Sequence, residues 1–575
     1  MPSRHTVLGR LAAPAVLTLA AVAPGLVPAA VPTATTAAKA ATAPPRPNVV
    51  FVLADDLGWS DLSTGRTNLG HPSDYNETPT LARLAEDGVA FDNAYACINC
   101  APSRAQLLTG TYAPRPENNI YAVQDLNRGG DDTLLVGPPE GDPTGDVVLP
   151  AETTTVAETL DRAGYDTGYI GKFHVARNPQ EITTIHGFDE NWGGSHAGNA
   201  TAYHASDGQF NNSVSPSLDE FAGDYTQQYV DENIAPYSHG VSRDQLDALV
   251  GTDKHVTDAV GDATLDFVDR HKGKPFFAWL SEYAVHSPVG NAQARSDLLA
   301  KYQAKTPGST PAKASYAALA EGLDQTVARL VDHLETTPDP RNPGHPLADN
   351  TLVLFTSDNG GRSDLGAYNG PLKGQKGELA EGGVRVPYIA WSANPDLVRG
   401  HRVVSSPVNH TDLYPTLADL AGATLPKDVP FDGTSLRTAL ASEAAVHRPR
   451  FAHLPGYLVE GGRSQRPQSS VRDGRWKALY SYETQEWELY DLQQDIGETT
   501  NLAASRPDLV QRLGGELARW LDETDAPLAT LREGKEPVTM TVDGTTYADG
   551  SRHHYDGRTL TIEPGEELPL VLQDS

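Results

Sequence analysis

The chain has 575 residues, with 45 basic against 75 acidic side chains and a formal net charge of −30. A field of that sign repels nucleic acid and anionic membrane surfaces, so neither is expected as a main partner. With 39% hydrophobic residues, 52 Gly and 43 Pro, the composition is globular and loop-rich and excludes coiled-coil, fibrous and disordered classes.

The length carries a large core and a second, smaller domain. Cys97 and Cys100 are the two cysteines, too few for a disulfide framework. At the start, Arg4 and Arg10 precede or enter an apolar stretch over 11–30 that ends in small residues, which predicts an export signal over 1–30. Pro14, Pro24 and Pro28 interrupt the stretch, and an Ala/Thr/Pro-rich spacer follows over 31–46. A cleaved signal is therefore favoured over an anchor, and the mature chain is expected to be secreted or extracytoplasmic without stable membrane insertion.

Residues 48–54 form a short continuous apolar run that stops at Asp55-Asp56, the pattern of a buried parallel strand delivering acids at its carboxyl end. Similar runs lie at 165–170 before Gly171-Lys172, at 275–280 before Glu282, and at 351–356 before Ser357-Asp358-Asn359. Helical spacing separates them at 80–87, 156–163, 255–270 and 314–334. Strands alternating with helices predict an α/β fold, a large mostly parallel sheet with helices on both faces. Ligand sites in such sheets sit at the strands' carboxyl ends. Residues 115–150 and 191–252 are too long and irregular for plain connections and read as rim loops over a site. From about 439 the pattern changes to short β-like pieces at 476–482 and 487–492 and a helix at 506–523, a smaller C-terminal α+β subdomain. A β tail with runs at 538–542, 559–562 and 568–572 follows.

Cys100-Ala-Pro-Ser-Arg104 reads as a helix start with Gly110 as its stop, which puts Cys100 at a helix N-terminus, where an anion or a lowered thiol pKa is favoured. By themselves, Cys97 and Cys100 also fit a redox pair or a plain disulfide. Asp55, Asp56, Asp358 and Asn359 offer oxygen donors alone, which suits Ca²⁺ or Mg²⁺ better than Zn²⁺. Lys172, His174, His286 and Lys376, with Arg104 one turn from Cys100, are candidates for the cation-rich pocket.

Cys100-Ala-Pro-Ser-Arg104 with Leu107-Leu108-Thr109-Gly110, behind a strand ending in Asp55-Asp56, resembles the formylglycine-dependent (type I) sulfatases of the alkaline phosphatase superfamily. Further signatures follow in the family's order: Gly171-Lys172-Phe173-His174, Ala284-Val285-His286-Ser287-Pro288, Ser357-Asp358-Asn359-Gly360, Lys373 to Gly377, and Glu381 to Pro387. The likeness covers 46–528 and stops before the tail. It divides the chain into a catalytic domain over 47–438, the α+β subdomain over 439–530, and the tail over 531–575.

The resemblance implies an alkaline phosphatase-like fold and hydrolysis of sulfate monoesters, on small-molecule, aryl or carbohydrate alcohols. Cys100 is then oxidised to formylglycine by a formylglycine-generating enzyme, and its hydrate is the nucleophile. Asp55, Asp56, Asp358, Asn359 and residue 100 are implied to hold Ca²⁺, or Mg²⁺. Arg104 is implied to stabilise the nucleophile, Lys172 and Lys376 to neutralise the sulfate oxygens, His286 or Lys376 to protonate the leaving alcohol, and His174 to take a proton in the second step. Phe173 and Val175-Ala176 stand where many members have Trp and Leu-Gly, and 378–380 departs from a common Thr- and Tyr-containing run. The alternatives are a phosphodiesterase or phosphonate monoester hydrolase of the same superfamily, a thiol-disulfide protein, and a non-catalytic glycan-binding relative. His196, His204, His410 and His453 are candidates for substrate contacts.

Overall fold

The structure, a computed structural model, describes residues 46–122, 126, 127, 130, 132–442 and 448–574. The expected export signal and all but the last residue of the spacer lie outside them. Among the described residues nine strands form the central sheet. In chain order they are β1 (Asn48–Ala54), β2 (Val89–Tyr95), β3 (Asp166–Gly171), β4 (Glu190–Trp192), β5 (Phe276–Ser281), β6 (Thr351–Ser357), β7 (Arg385–Trp391), β8 (Arg402–Val404) and β9 (Val408–Asn409). Their spatial order is β9-β2-β7-β6-β1-β5-β3-β4, with β8 also paired to β2. The pairings are parallel except those of β7, which runs antiparallel to β2 and β6.

All seven residues of β1 are buried because the sheet is covered on both faces. Alternate side chains point opposite ways. Val50, Val52 and Ala54 join the layer of α1 (Pro79–Asp87), α4 (Val256–His271) and α5 (Ala314–Thr336). Val49, Phe51 and Leu53 join the layer of α2 (Cys100–Thr109) and α3 (Val156–Arg162). Ala54 pairs with Ser357, and Ser281 pairs with both Leu53 and Gly171. Asp55, Lys172, Glu282 and Asp358, each the next residue in its chain segment, therefore leave the sheet along one edge.

Beyond the sheet, β10 (Arg450–Leu454), β11 (Gln468–Asp473), β12 (Trp476–Ser481) and β13 (Glu486–Asp491) form an antiparallel sheet in that order, followed by α6 (Pro507–Glu523). The tail folds as β14 (Val538–Ala548), β15 (Ser551–Ile562) and β16 (Leu570–Gln573), with β14 in the middle. Leu513, Leu517 and Leu521 of α6 share one apolar cluster with Val471, Ala478 and Leu489 and with Val542, Tyr547 and Leu570 of the tail. β14 and β15 are much longer than the apolar runs that announce them; most of β15 is exposed on both faces and carries no alternating pattern.

The two long irregular segments have different fates. Leu135 and Val136 of the first pair with Leu531 and Thr530, which ties it to the C-terminal part rather than leaving it as a free rim. The second runs beside His174 and His286, described below. No helix among the described residues is long and apolar enough to cross a membrane.

Candidate active site

Cys100 opens α2 after an extended Asn99, and all ten residues of the helix are buried. Gly110 ends it in the left-handed region at φ 71°, with its N–H on Gln106 O. The Cys100 thiol lies 3.5 Å from Asp55 Oδ1 and 3.9 Å from Asp56 Oδ1, and Lys376 Nζ donates to Sγ at 3.1 Å. Both cysteines are free, so the disulfide reading fails. Cys97 is only half-buried, and its N–H donates to Ser103 Oγ at 2.9 Å. The expectation of a lowered thiol pKa at the helix start is also corrected. Burial, then Asp358, push the Cys100 thiol well above its ordinary value, outweighing Lys172 and Lys376. A thiol held protonated is a poor nucleophile.

Three buried cations face three buried acids. Lys172 Nζ donates to Asp55 Oδ2 at 2.6 Å. Arg104 holds Asp358 Oδ2 from Nε and Nη2, at 3.2 and 2.9 Å, while its Nη1 donates to Ser281 Oγ at 2.7 Å. Lys376 Nζ lies 2.8 Å from Asp56 Oδ1, which also accepts from Asn359 Nδ2 at 2.7 Å. Burial, then the neighbouring Asp358, push Asp55 up to about 7 despite Lys172. Burial pushes Asp56 up too, but Lys376 and Lys172 outweigh it and hold that carboxyl below its usual range. Ser281, which sequence reasoning did not single out, joins Arg104 to the Lys172 carbonyl; its place at the end of β5 was the available signal.

Both imidazoles lie beside these charges. His286 Nδ1 donates to Ser287 O at 2.9 Å, and its Nε2 stands 3.6 Å from Asp56 Oδ2. Burial, then Lys376, push it down to about 3. His174 is held at φ 77° with a buried Nδ1 that has no hydrogen-bond partner; burial, then Lys172, push it well below its ordinary value. The cationic side of the resting pocket thus consists of Arg104, Lys172 and Lys376, with His174 and His286 neutral beside them. This corrects the expectation of charged imidazoles.

The other histidine candidates are less central. His196 is exposed, His204 packs edge-on against His255 at 5.1 Å, and His453 is bonded to Ser469 Oγ at 2.7 Å and Pro527 O at 2.9 Å. His410 is buried, with burial pushing it down to about 4.

The oxygen donors fit a hard cation. Ligand atoms of Asp55, Asp56, Cys100 and His286 lie within 4.8 Å of one another. Asp56 Oδ2 and Asn359 Oδ1 are buried acceptors without a hydrogen-bond donor, the condition a cation would relieve. Asp358 adjoins them through its Oδ1, which accepts the Asp56 N–H at 3.1 Å.

The site residues lie within a stretch of chain that matches known proteins. The family model described as Sulfatase matches residues 47–423. The chain belongs to the sulfatase family. A second model, N-sulphoglucosamine sulphohydrolase, C-terminal, matches residues 376–523 of this sulfatase. It is 36% identical over 530 residues to a sulfatase of Formosa agariphila, covering 86% of this chain and 92% of that one. It is 30% identical to human N-acetylgalactosamine-6-sulfatase over 437 residues, 73% of this chain and 70% of the relative. Among solved structures, Ps i-CgsB in complex with k-i-k-neocarrahexaose superposes with a TM-score of 0.60 at 28% identity, covering 83% of this chain and 92% of that one. This sulfatase is a sulfuric ester hydrolase of the alkaline phosphatase superfamily, with the mostly parallel sheet and C-terminal antiparallel subdomain seen in its relatives.

Proposed function

We propose that this sulfatase is an exported hydrolase of sulfate monoesters on carbohydrates. In this reading residue 100 is converted to formylglycine, and Asp55, Asp56, Asp358, Asn359 and residue 100 hold Ca²⁺, or Mg²⁺ in its place. The observation that carries it is the position of Cys100, the first residue of a buried helix, between Lys376 at 3.1 Å and Asp55 at 3.5 Å. A protonated thiol has no use there, whereas an oxygen nucleophile is placed between a cation site and fixed positive charges. The carbohydrate assignment is supported by relatives named for an N-acetylgalactosamine sulfate ester and solved with a neocarrahexaose. Export is supported by the basic and apolar pattern of residues 1–30.

The converted side chain and the cation together supply an oxygen nucleophile and a Lewis acid. Arg104 fixes Asp358 and so the edge of the ligand set. Lys172 and Lys376 bring positive charge to sulfuryl oxygens in a site dry enough for it to act strongly, which answers the repulsion expected from a protein of charge −30. Lys376 keeps its proton: burial lowers it, but Asp56 outweighs that and holds it above its ordinary value. It can protonate the leaving oxygen from the resting state, and His286 does so once an anionic ester raises its proton affinity. His174, neutral with a free Nδ1, is the base of the second half-reaction.

The test is peptide mass spectrometry around residue 100 with turnover on a panel of sulfated saccharides. The expected result is an aldehyde in place of the thiol, and Cys100→Ser protein that folds normally but does not turn over. A thiol in fully active enzyme, or an active Cys100→Ser variant, overturns the proposal.

A further inference from the structure

The backbones that carry both imidazoles are held by one stretch of the second irregular segment. The His174 N–H donates to Ser195 O at 3.0 Å, and Ser195 Oγ in turn donates to Ser213 O at 2.6 Å. At Gly198 a Cβ would sit 2.7 Å from His174 Nε2 and 2.8 Å from Cε1. Ordinary contact begins at 3.4 Å, so a larger residue fits only if the ring or the loop backbone gives by about 0.7 Å. Five residues on, the Tyr203 hydroxyl is buried 2.5 Å from Tyr283 O and 2.8 Å from His286 O, its proton shared between the two carbonyls. Those residues form the turn closed by the His286 N–H on Tyr283 O at 3.0 Å. Tyr203 is itself fixed: its N–H donates to Gln293 Oε1 at 2.9 Å, its carbonyl accepts the Val256 N–H at 2.7 Å, and its ring stacks on His255 at 5.3 Å.

We propose that residues 195–203 form one brace that positions His174 and His286 against residue 100, with Gly198 and Tyr203 as its positioning residues. The proposal rests on the roles given to the two imidazoles above. Ring placement matters because a shift near 1 Å at a reacting group costs about 100-fold in rate. The brace assigns separate half-reactions to its two ends. Gly198 sets the base that serves sulfate release, and Tyr203 sets the group that meets the leaving alcohol.

The test uses full-length Gly198→Ala and Tyr203→Phe enzymes, with Gly223→Ala as control, since a Cβ at 223 meets open space in the same segment. Crystal structures of each, rapid-mixing kinetics, and turnover on a sulfated sugar and on an aryl sulfate whose phenolate needs no proton are compared. Gly198→Ala is expected to displace the His174 ring. Its first equivalent of alcohol is released at the wild-type rate, and later turnovers are about 10- to 100-fold slower. Tyr203→Phe is expected to shift the 283–286 turn and to lose at least about tenfold more rate on the sugar ester than on the aryl sulfate. Gly223→Ala behaves as wild type. Unmoved imidazoles, or equal losses on both substrates and in both half-reactions, overturn the proposal. His174→Ala and His286→Gln run alongside: if they keep full activity, the catalytic reading of the imidazoles fails, and the ring positions alone decide whether the brace exists.

Discussion

Replacing Arg104 by Met preserves most of the side chain's apolar stem and deletes a guanidinium that is wholly buried. The Lys172 carbonyl keeps the Ser281 Oγ donor at 2.7 Å, so the cost falls on Asp358, which loses donors at 3.2 and 2.9 Å. Removing one partner of a buried ion pair costs about 3–5 kcal/mol. The entropy of unfolding grows by about 2 cal/mol/K per residue, so for a body of roughly 500 residues the expected fall in Tm is about 3–5 °C. A cation on the same acids offsets part of that loss, which makes the fall larger in chelator-treated than in Ca²⁺-loaded protein. Scanning calorimetry at pH 7 and one scan rate measures both, because unfolding of so large a chain is judged at fixed rate. Turnover should drop at least about 100-fold, the scale set by loss of a preorganised electrostatic group. An Arg104→Met enzyme with wild-type Tm in both states, or with wild-type turnover, would refute the reasoning.

Chelation should abolish turnover and lower Tm, with both restored by Ca²⁺ or Mg²⁺. Loading the metal-free protein below about pH 7 should release protons, read by calorimetry in buffers of different ionisation enthalpy, because Asp55 at about 7 must ionise to ligate. Asp324 accepts the Thr80 and Leu81 N–H groups at the start of α1, at 3.0 and 2.8 Å, and burial raises it from 3.8 to about 7. The folded state then holds a proton that the unfolded chain has released. The stabilisation is complete below 3.8 and is lost as pH rises through about 7. Asp324→Asn should therefore flatten the decline of Tm over that window, and an unchanged slope would contradict it. Cys97→Ala should keep wild-type turnover, and thiol titration of denatured wild-type enzyme should find one thiol; two would speak against conversion of residue 100.

The position of the site was legible because its acids and cations stand where apolar runs stop. Asp55, Lys172 and Asp358 follow β1, β3 and β6, and an open sheet gathers such ends along one edge. Protonation was not legible. In the sequence His174 and His286 look like Lys172 and Lys376, but an imidazole buried beside fixed cations gives up its proton, while an ammonium paired with Asp56 keeps it. The same competition defeats the reading of Cys100, where burial and Asp358 overcome a helix start. Gly198 and Tyr203 carried no signal at all, since their importance lies in what packs on them from 24 and 80 residues away.

The place of β1 in the sheet bears on how the chain is made. It is the first strand to be synthesised among the described residues, and both its neighbours come far later; Asn48 and Thr351, side by side in the sheet, are 303 positions apart. At about 5–20 residues per second, the apolar heptapeptide waits roughly 15–60 s before its last partner exists. During that interval it is a sticky, unpaired edge. Assembly of this enzyme is accordingly a late, long-range event, and yield in recombinant hosts should respond to chaperone supply and to slower translation more than to substitutions that merely raise equilibrium stability.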